Sequence, residues 1–118
     1  TLPGIAIVVA PIVDPFDPNA TVEPITVGRV LTIADMGKVL RVDGAGAVSF
    51  TLPADLPEGF NVGVTRAGAG AVSFSIAAGA MNRSGKTSIS AQYGFASIIV
   101  SKNANGASAE YLVKGDVA

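Results

Sequence analysis

Three polar residues near the start of the chain have the types and spacing of a cation site. Asp14, Asp17 and Asn19 bring side-chain oxygens together within six residues, and Ca²⁺ prefers such oxygen ligands. Two prolines separate them, however, and Asp-Pro and Pro-Asn pairs are frequent in turns. Because no further acid lies close by, we interpret the segment as a turn and predict no metal ion.

A second pair of carboxylates, Asp55 and Glu58, is expected to lie in a loop rather than in a catalytic cleft. Glycoside hydrolysis needs two acids held at a set separation, whereas this pair flanks Pro57 and the chain has no Trp platform for a sugar. The chain also has no His and no Cys, which removes the usual catalytic triads and nearly every zinc, copper or iron site. We therefore predict neither an enzyme nor a cofactor.

The stretch Gly-Ala-Gly-Ala-Val-Ser-Phe at residues 44–50 returns unchanged at residues 68–74. Its glycines have some likeness to a phosphate-binding loop, but such a loop needs a following helix whose amides and dipole converge on the anion. Here an alternating, strand-like stretch follows each copy. We interpret both Gly-Ala-Gly-Ala stretches as hairpin turns whose glycines accept positive φ.

The alternation after each copy predicts a strand with one buried face and one solvated face. Apolar residues stand two apart with Ser or Thr between them, so the two copies are expected to form equivalent parts of one core. The predicted core residues of the repeat are Val48, Phe50, Leu52, Val72, Phe74 and Ile76.

Further short alternating stretches follow at about ten-residue intervals, separated by turn-forming residues. Only residues 33–36 suggest a helical turn. Regularly spaced short strands predict an all-β fold, here a small antiparallel β-sandwich, jelly-roll-like or barrel domain over residues 25–118. The predicted strands are residues 25–32, 38–42, 47–52, 61–66, 71–76, 87–90, 96–102 and 110–114.

Residues 1–24 differ from this domain because they contain five of the seven prolines. Such a density prevents helix and interrupts central strands, yet the apolar side chains of the segment still need cover. We predict an extended, proline-rich N-terminal arm that reaches a neighbouring subunit; the alternative is a first edge strand of the same domain. The contact residues of the arm are predicted to be Ile5, Ile7, Val9, Ile12 and Phe16.

The composition favours association with other proteins. The net charge is −1 and no run of Lys or Arg exists, so we predict no nucleic-acid partner. The apolar residues 2–13 are too few to cross a bilayer and lack the basic region of a signal peptide, so no membrane association is predicted. With 14% charged residues and a mean hydropathy of +0.51, a lone molecule is expected to expose apolar patches, which mark association surfaces.

A recurring pattern of short motifs runs from residue 35 to residue 116. The motifs are Asp35-x-Gly37-Lys38-x-Leu40-x-Val42, Val48-x-Phe50-Thr51-Leu52-Pro53, Leu56-Pro57-x-Gly59-Phe60-x-Val62-x-Val64, Gly68-Ala69-Gly70-x-Val72-x-Phe74, Gly79, Tyr93, residues 98–100, and Tyr111-Leu112-x-Lys114-Gly115-Asp116. In this pattern, which covers about two thirds of the chain, the protein resembles a β-rich module of tailed-bacteriophage structural proteins. That module is found in head decoration proteins and in tail-fibre or spike segments, commonly as trimers.

The resemblance implies a virion protein, and three features of the sequence favour one location. The chain opens with Thr, as expected after removal of an initiator Met. It has no collagen-like or coiled-coil shaft. Its proline-rich apolar arm suits a small protein that clamps onto a shell. We expect a capsid decoration (cement) protein on the capsid surface, with the major capsid protein and itself, as a homotrimer, for partners. The alternatives are a tail-fibre, head-fibre or adaptor module for host attachment, or an unrelated adhesive or carbohydrate-binding β-domain.

Overall fold

The computed structural model describes residues 21–118, and in this range the chain is almost free of helix. A 3₁₀ turn at Ile33–Asp35 is the one helical element of the described part, so the all-β prediction is confirmed. The strands are β1 (Thr21–Ile25), β2 (Lys38–Val42), β3 (Val48–Leu52), β4 (Asn61–Arg66), β5 (Val72–Ile76), β6 (Met81–Asn82), β7 (Phe95–Lys102) and β8 (Glu110–Gly115).

The strands form two sheets of mixed direction. The larger sheet has the order β1-β2-β4-β7-β8-β6, and the smaller one pairs β3 with β5. The β4–β7 and β7–β8 pairs are antiparallel, whereas β1–β2, β2–β4, β6–β8 and β3–β5 are parallel. The prediction of an antiparallel domain was therefore wrong for most pairs, because alternation along a strand defines its faces but not the direction of its neighbour. The jelly-roll-like or barrel topology stays a prediction.

The parallel pairs arise because the repeated segment stacks on itself. Both the β2–β4 and the β3–β5 ladders join residues 24 positions apart, for example Val39 with Gly63 and Phe50 with Phe74. The chain passes from the larger sheet to the smaller one through β2 and β3, and then repeats the same path alongside through β4 and β5. Residues 38–52 and 61–76 are thus two stacked coils, as in solenoid proteins.

The two Gly-Ala-Gly-Ala stretches are the corners at which the chain passes from one sheet to the other. None of their glycines has a positive φ, so the predicted hairpin turns were wrong. Glycine is required in the second copy for a different reason. A Cβ on Gly68 would lie 2.3 Å from the carbonyl oxygen of Gly44, and one on Gly70 would lie 2.0 Å from that of Gly46. The corners are therefore in direct backbone contact.

The core lies between the two sheets and contains both copies of the repeat. The rings of Phe50 and Phe74 stack there with their centroids 6.3 Å apart. Of the six predicted core residues, Ile76 is only partly buried. The five buried ones are Val48, Phe50, Leu52, Val72 and Phe74.

Strand β1 lies at an edge of the larger sheet and begins before the predicted domain boundary. The strand predicted over residues 25–32 is wrong in position. Strand β1 ends at Ile25, and among residues 26–32 only Val30 forms an isolated β-bridge. Pro24 is compatible with β1 because an edge strand tolerates a residue without an N–H group. Residues 21–24, assigned to the arm from sequence, therefore belong to the sheet.

Matched glycine substitutions test the corner contact. We expect Gly70→Ala to lower the free energy of unfolding by about 1–3 kcal/mol, because the added methyl group collides with the backbone of Gly46 and the coils must separate. Gly46→Ala is the control, since nothing lies within 4 Å of its Cβ position, and it should change stability by less than about 1 kcal/mol. Denaturant unfolding measures both, and equal effects would show that the two corners do not touch.

Truncation of the stacked rings tests the shared core. We expect Phe50→Ala and Phe74→Ala each to cost about 3–5 kcal/mol of unfolding free energy, because both side chains are buried. The double variant should cost less than the sum of the two by about 0.5–1.5 kcal/mol, since the rings contact each other. Strictly additive losses in urea titrations would contradict the stacking.

Candidate interaction surface

Large apolar side chains are exposed mainly in one short part of the chain. Among the described residues, five large hydrophobic residues are exposed, and four of these lie between residues 22 and 33. Their exposed fractions range from 50% for Val30 to 73% for Val27. These residues precede the two stacked coils and belong to an additional first layer of the stack. We name the four of them the first-coil surface: Val22, Val27, Val30 and Ile33.

The first-coil surface is exposed because residues 21–33 form the outermost layer of the stack. In the larger sheet this layer contributes β1, which pairs with β2. In the smaller sheet Thr51 of β3 exchanges backbone hydrogen bonds of 3.0 Å with Arg29 and Leu31. The layer therefore has a neighbour on one side, whereas on the other side β1 is the terminal strand of the described part.

The opposite side of the smaller sheet is covered. The strand predicted over residues 87–90 is reduced to isolated bridges, in which Ser88 faces β5 and Ile89 faces Val117. The backbone amide of Phe74 nevertheless donates to the carbonyl oxygen of Thr87 at 2.7 Å. This segment closes the far side of the stack, and four of the five exposed large hydrophobic residues in the described part of the chain lie in the first layer.

A groove of about 400 Å³ adjoins the first-coil surface. One wall consists of residues 30–33, so Val30 and Ile33 belong to both features, and the other wall consists of Pro53 and residues 55–57. Asp55 is the single ionisable residue among those that line it. An open depression with a mostly apolar lining suits an apolar ligand or chain segment.

Side-chain hydrogen bonds from Asn103 and Tyr111 hold the second wall of the groove in place. The side-chain amide of Asn103 donates to the carbonyl oxygen of Leu56 at 2.8 Å, and the hydroxyl of Tyr111 donates to the carbonyl oxygen of Pro53. Burial, with a smaller contribution from Asp55, raises the pKa of Tyr111 well above its ordinary value. The phenol is a hydrogen-bond donor at neutral pH, and together with Asn103 it fixes the backbone of this wall.

Four charged residues fasten the first layer to the start of β2. Glu23 lies 2.9 Å from Nζ of Lys38 and 3.1 Å from Nη1 of Arg29, and these two hydrogen bonds, that of Lys38 foremost, lower the pKa of the Glu23 carboxyl. Arg29 also contacts the buried carboxylate of Asp35. Burial disfavours the charge of Arg29, but Asp35 and Glu23 together outweigh it and raise the pKa of the guanidinium.

Tyr93, the fifth exposed hydrophobic residue, lies at the far end of β4 from the groove. Its backbone amide donates to Arg66, the last residue of β4, whereas Asn61, the first, accepts from Gly37 beside the 3₁₀ turn. The side chain of Tyr93 is 78% exposed and its φ is +68°. A non-glycine residue in the left-handed region costs on the order of 1–3 kcal/mol, and such residues cluster at functional sites.

The carboxylate pair and the metal-ligating side chains considered from the sequence do not form a site in the described part of the chain. Asp55 is exposed at the groove, whereas Glu58 accepts a hydrogen bond of 3.0 Å from the backbone amide of Asn103. Between residues 21 and 118 there is no cluster of three metal-ligating side chains and no helix long and apolar enough to cross a membrane. The turn predicted over residues 14–19 lies outside the described residues. The predicted arm contacts lie outside them as well: Ile5, Ile7, Val9, Ile12 and Phe16.

No family model matches the chain, and no curated protein or solved structure is significantly similar to it.

Sequence reasoning missed both the groove and the first-coil surface. The strand predicted over residues 25–32 places alternate side chains in a core, whereas Val27 and Val30 are both exposed. The signal that could have found the surface is the 24-residue repeat, because internal repeats of this length indicate stacked units with an atypical terminal member. Residues 21–33 are that member.

The charge network predicts a pH dependence of the first layer. The pKa of Glu23 is lowered from its usual 4.5 in the folded protein, so its stabilising effect is present above about pH 4.5 and is lost as the pH falls through the folded pKa. We expect the protection factors of the β1 amides, which correct hydrogen exchange for its intrinsic pH dependence, to fall on acidification, and Glu23→Gln to remove that fall.

Glu58→Gln is the matched control, because Glu58 forms no ion pair within the described residues and its loss should leave the acid response of β1 intact. An unchanged response in Glu23→Gln would show that the network does not hold the first layer.

Proposed function

We propose that the protein is a bacteriophage capsid decoration (cement) protein, which binds the assembled head and stabilises the shell. The observation that carries the proposal is the first-coil surface, which consists of four exposed apolar side chains on the terminal layer of a β stack. Exposed apolar surface is typical of association sites. The proposed partner is the major capsid protein, as the resemblance of residues 35–116 to modules of bacteriophage structural proteins implies.

The proposed mechanism is thermodynamic linkage. A protein that binds neighbouring capsid subunits only when they are assembled raises the stability of the assembled state by mass action. A homotrimer would present three such surfaces on one body, and each contact after the first gains from effective concentration. Attachment of this kind needs complementary apolar surface and requires no reactive side chain, cofactor or nucleic acid.

The geometry of the groove supports this mechanism because the wall is ordered before binding. Asn103 and Tyr111 already hold the backbone of residues 53–56, so little conformational entropy is lost when a partner docks. Preorganisation of this type increases affinity without enlarging the interface. The N-terminal arm, through Ile5, Ile7 and Val9, is proposed as the second element of the attachment.

A host-attachment module of a tail fibre, head fibre or adaptor is the second candidate. Tyr93 favours it, because an exposed Tyr held at a positive φ is fixed away from the core, and Tyr is enriched among the residues that dominate binding energy at interfaces. The two candidates therefore place the partner at opposite ends of β4.

Variants at the two ends of β4 separate these candidates. We expect Val27→Ser/Ile33→Ser to weaken binding to purified heads that lack the protein by at least tenfold, because each apolar side chain contributes about 1.5–3 kcal/mol when buried. The variant should also lose the protein's ability to raise the disruption temperature of the heads. Tyr93→Ser is the matched control and should bind heads like the unchanged protein.

Two outcomes would contradict the proposal. Saturable head binding that is indifferent to Val27→Ser/Ile33→Ser would move the docking site away from the first-coil surface. Failure to add to heads, together with Tyr93-dependent binding to host cells, would establish the attachment module instead.

A further inference from the structure

One carboxylate of the described part differs from all the others. Within residues 21–118 the exposed side chain of Asp55, which lines the groove, takes part in no hydrogen bond and no ion pair. Every other acidic side chain in this range accepts at least one hydrogen bond. Those six are Glu23, Asp35, Asp43, Glu58, Glu110 and Asp116.

The position of the Asp55 carboxylate is fixed by the backbone on either side of it. The side-chain amide of Asn103 donates to the carbonyl oxygens of Ala54 at 3.2 Å and of Leu56 at 2.8 Å. Apart from Thr32, the remaining residues that line the groove are apolar. The groove therefore combines a held anion with apolar walls, and a cation that stands next to apolar groups complements both. Hydrogen bonds between charged groups are also the stronger ones.

The opposite wall offers free backbone groups, which favour a protein segment as the occupant. Arg29 and Leu31 exchange their hydrogen bonds with Thr51 of β3. Because successive peptide groups of an extended strand point to opposite sides, the N–H and C=O groups of Val30 are directed away from β3. Neither has a partner among residues 21–118. Unpaired edge groups of this kind are satisfied when an extended peptide adds to the edge.

We propose that the groove binds an extended segment of a partner protein in which a Lys or Arg side chain stands beside apolar residues, and that its cation pairs with Asp55. The apolar side chains of the segment lie against Val30 and Ile33, which the groove shares with the first-coil surface. That the partner is the major capsid protein rests on the proposed function. The preference for a basic, apolar segment does not, because it belongs to the groove itself.

Capped tripeptides titrated into the full-length protein test this preference. The probes are acetyl-Leu-Lys-Leu-amide and the two counterparts with Gln or Glu in the middle. We expect the Lys peptide to bind at least about threefold more tightly than the Gln peptide, as for a partly exposed ion pair, and the Glu peptide to bind most weakly. Amide chemical shifts should change at Ile33 and Leu56 and stay constant at Tyr93, at the far end of β4.

Two variants with the same change of charge identify the carboxylate responsible. Asp55→Asn should abolish the difference between the Lys and Gln peptides and leave the affinity of the Gln peptide within about twofold. Asp43→Asn is the matched control, because Asp43 follows β2 whereas the wall at Ile33 precedes it. This control should keep the full preference for the Lys peptide.

Equal affinities of the three peptides, no binding at all, or a preference that survives Asp55→Asn would overturn the inference. Self-association of the protein that Asp55→Asn abolishes would overturn it as well, because the occupant would then be a second copy. The peptide titrations contain no heads, so the two proposals fail separately. Discrimination among the peptides without addition to heads would reject the decoration function alone, and addition to heads without discrimination would reject this inference alone.

Discussion

The two glycine-rich corners touch through their backbones, at distances that admit no side chain on Gly68 or Gly70. Once the corners coincide, the strands that follow them must run in the same direction and in register. Each side chain then meets its own copy, as the rings of Phe50 and Phe74 do in the core. The parallel order of the central strands and the composition of the core both depend on this one contact.

A stack of this kind has two ends, and in the described part of the chain only one of them is covered by further segments. On the side of β5 the segment around Ser88 and the C-terminal residues complete the smaller sheet, and β7 adds antiparallel to β4 in the larger one. On the side of β1 the described chain ends in a layer with four exposed apolar residues. Solenoid proteins require terminal units that shield the stack, so within the described part of the chain a binding partner has most to gain at the end formed by β1.

The first layer has few core contacts. It contributes two buried large residues, Ile25 and Leu31, to the core. Besides its backbone hydrogen bonds to β2 and Thr51, it is attached by the network of Glu23, Arg29 and Lys38, whose side chains are about one third exposed, and ion pairs in such settings are weak. Layers with few buried contacts open before the rest of a protein. A partner that docks on this layer therefore stabilises the element that needs it most.

The sequence by itself determined the all-β class, the buried faces and two strands to the residue, β2 and β4, because period-2 alternation is a property of each strand alone. It also determined that residues 44–50 and 68–74 would be structurally equivalent. Only the tertiary structure decided that these copies stack in parallel, that their glycines serve close approach rather than positive φ, and that Val27 is exposed while Val30 and Ile33 line a groove. Strand direction and exposure depend on which segments become neighbours across many residues, and no local pattern contains that information.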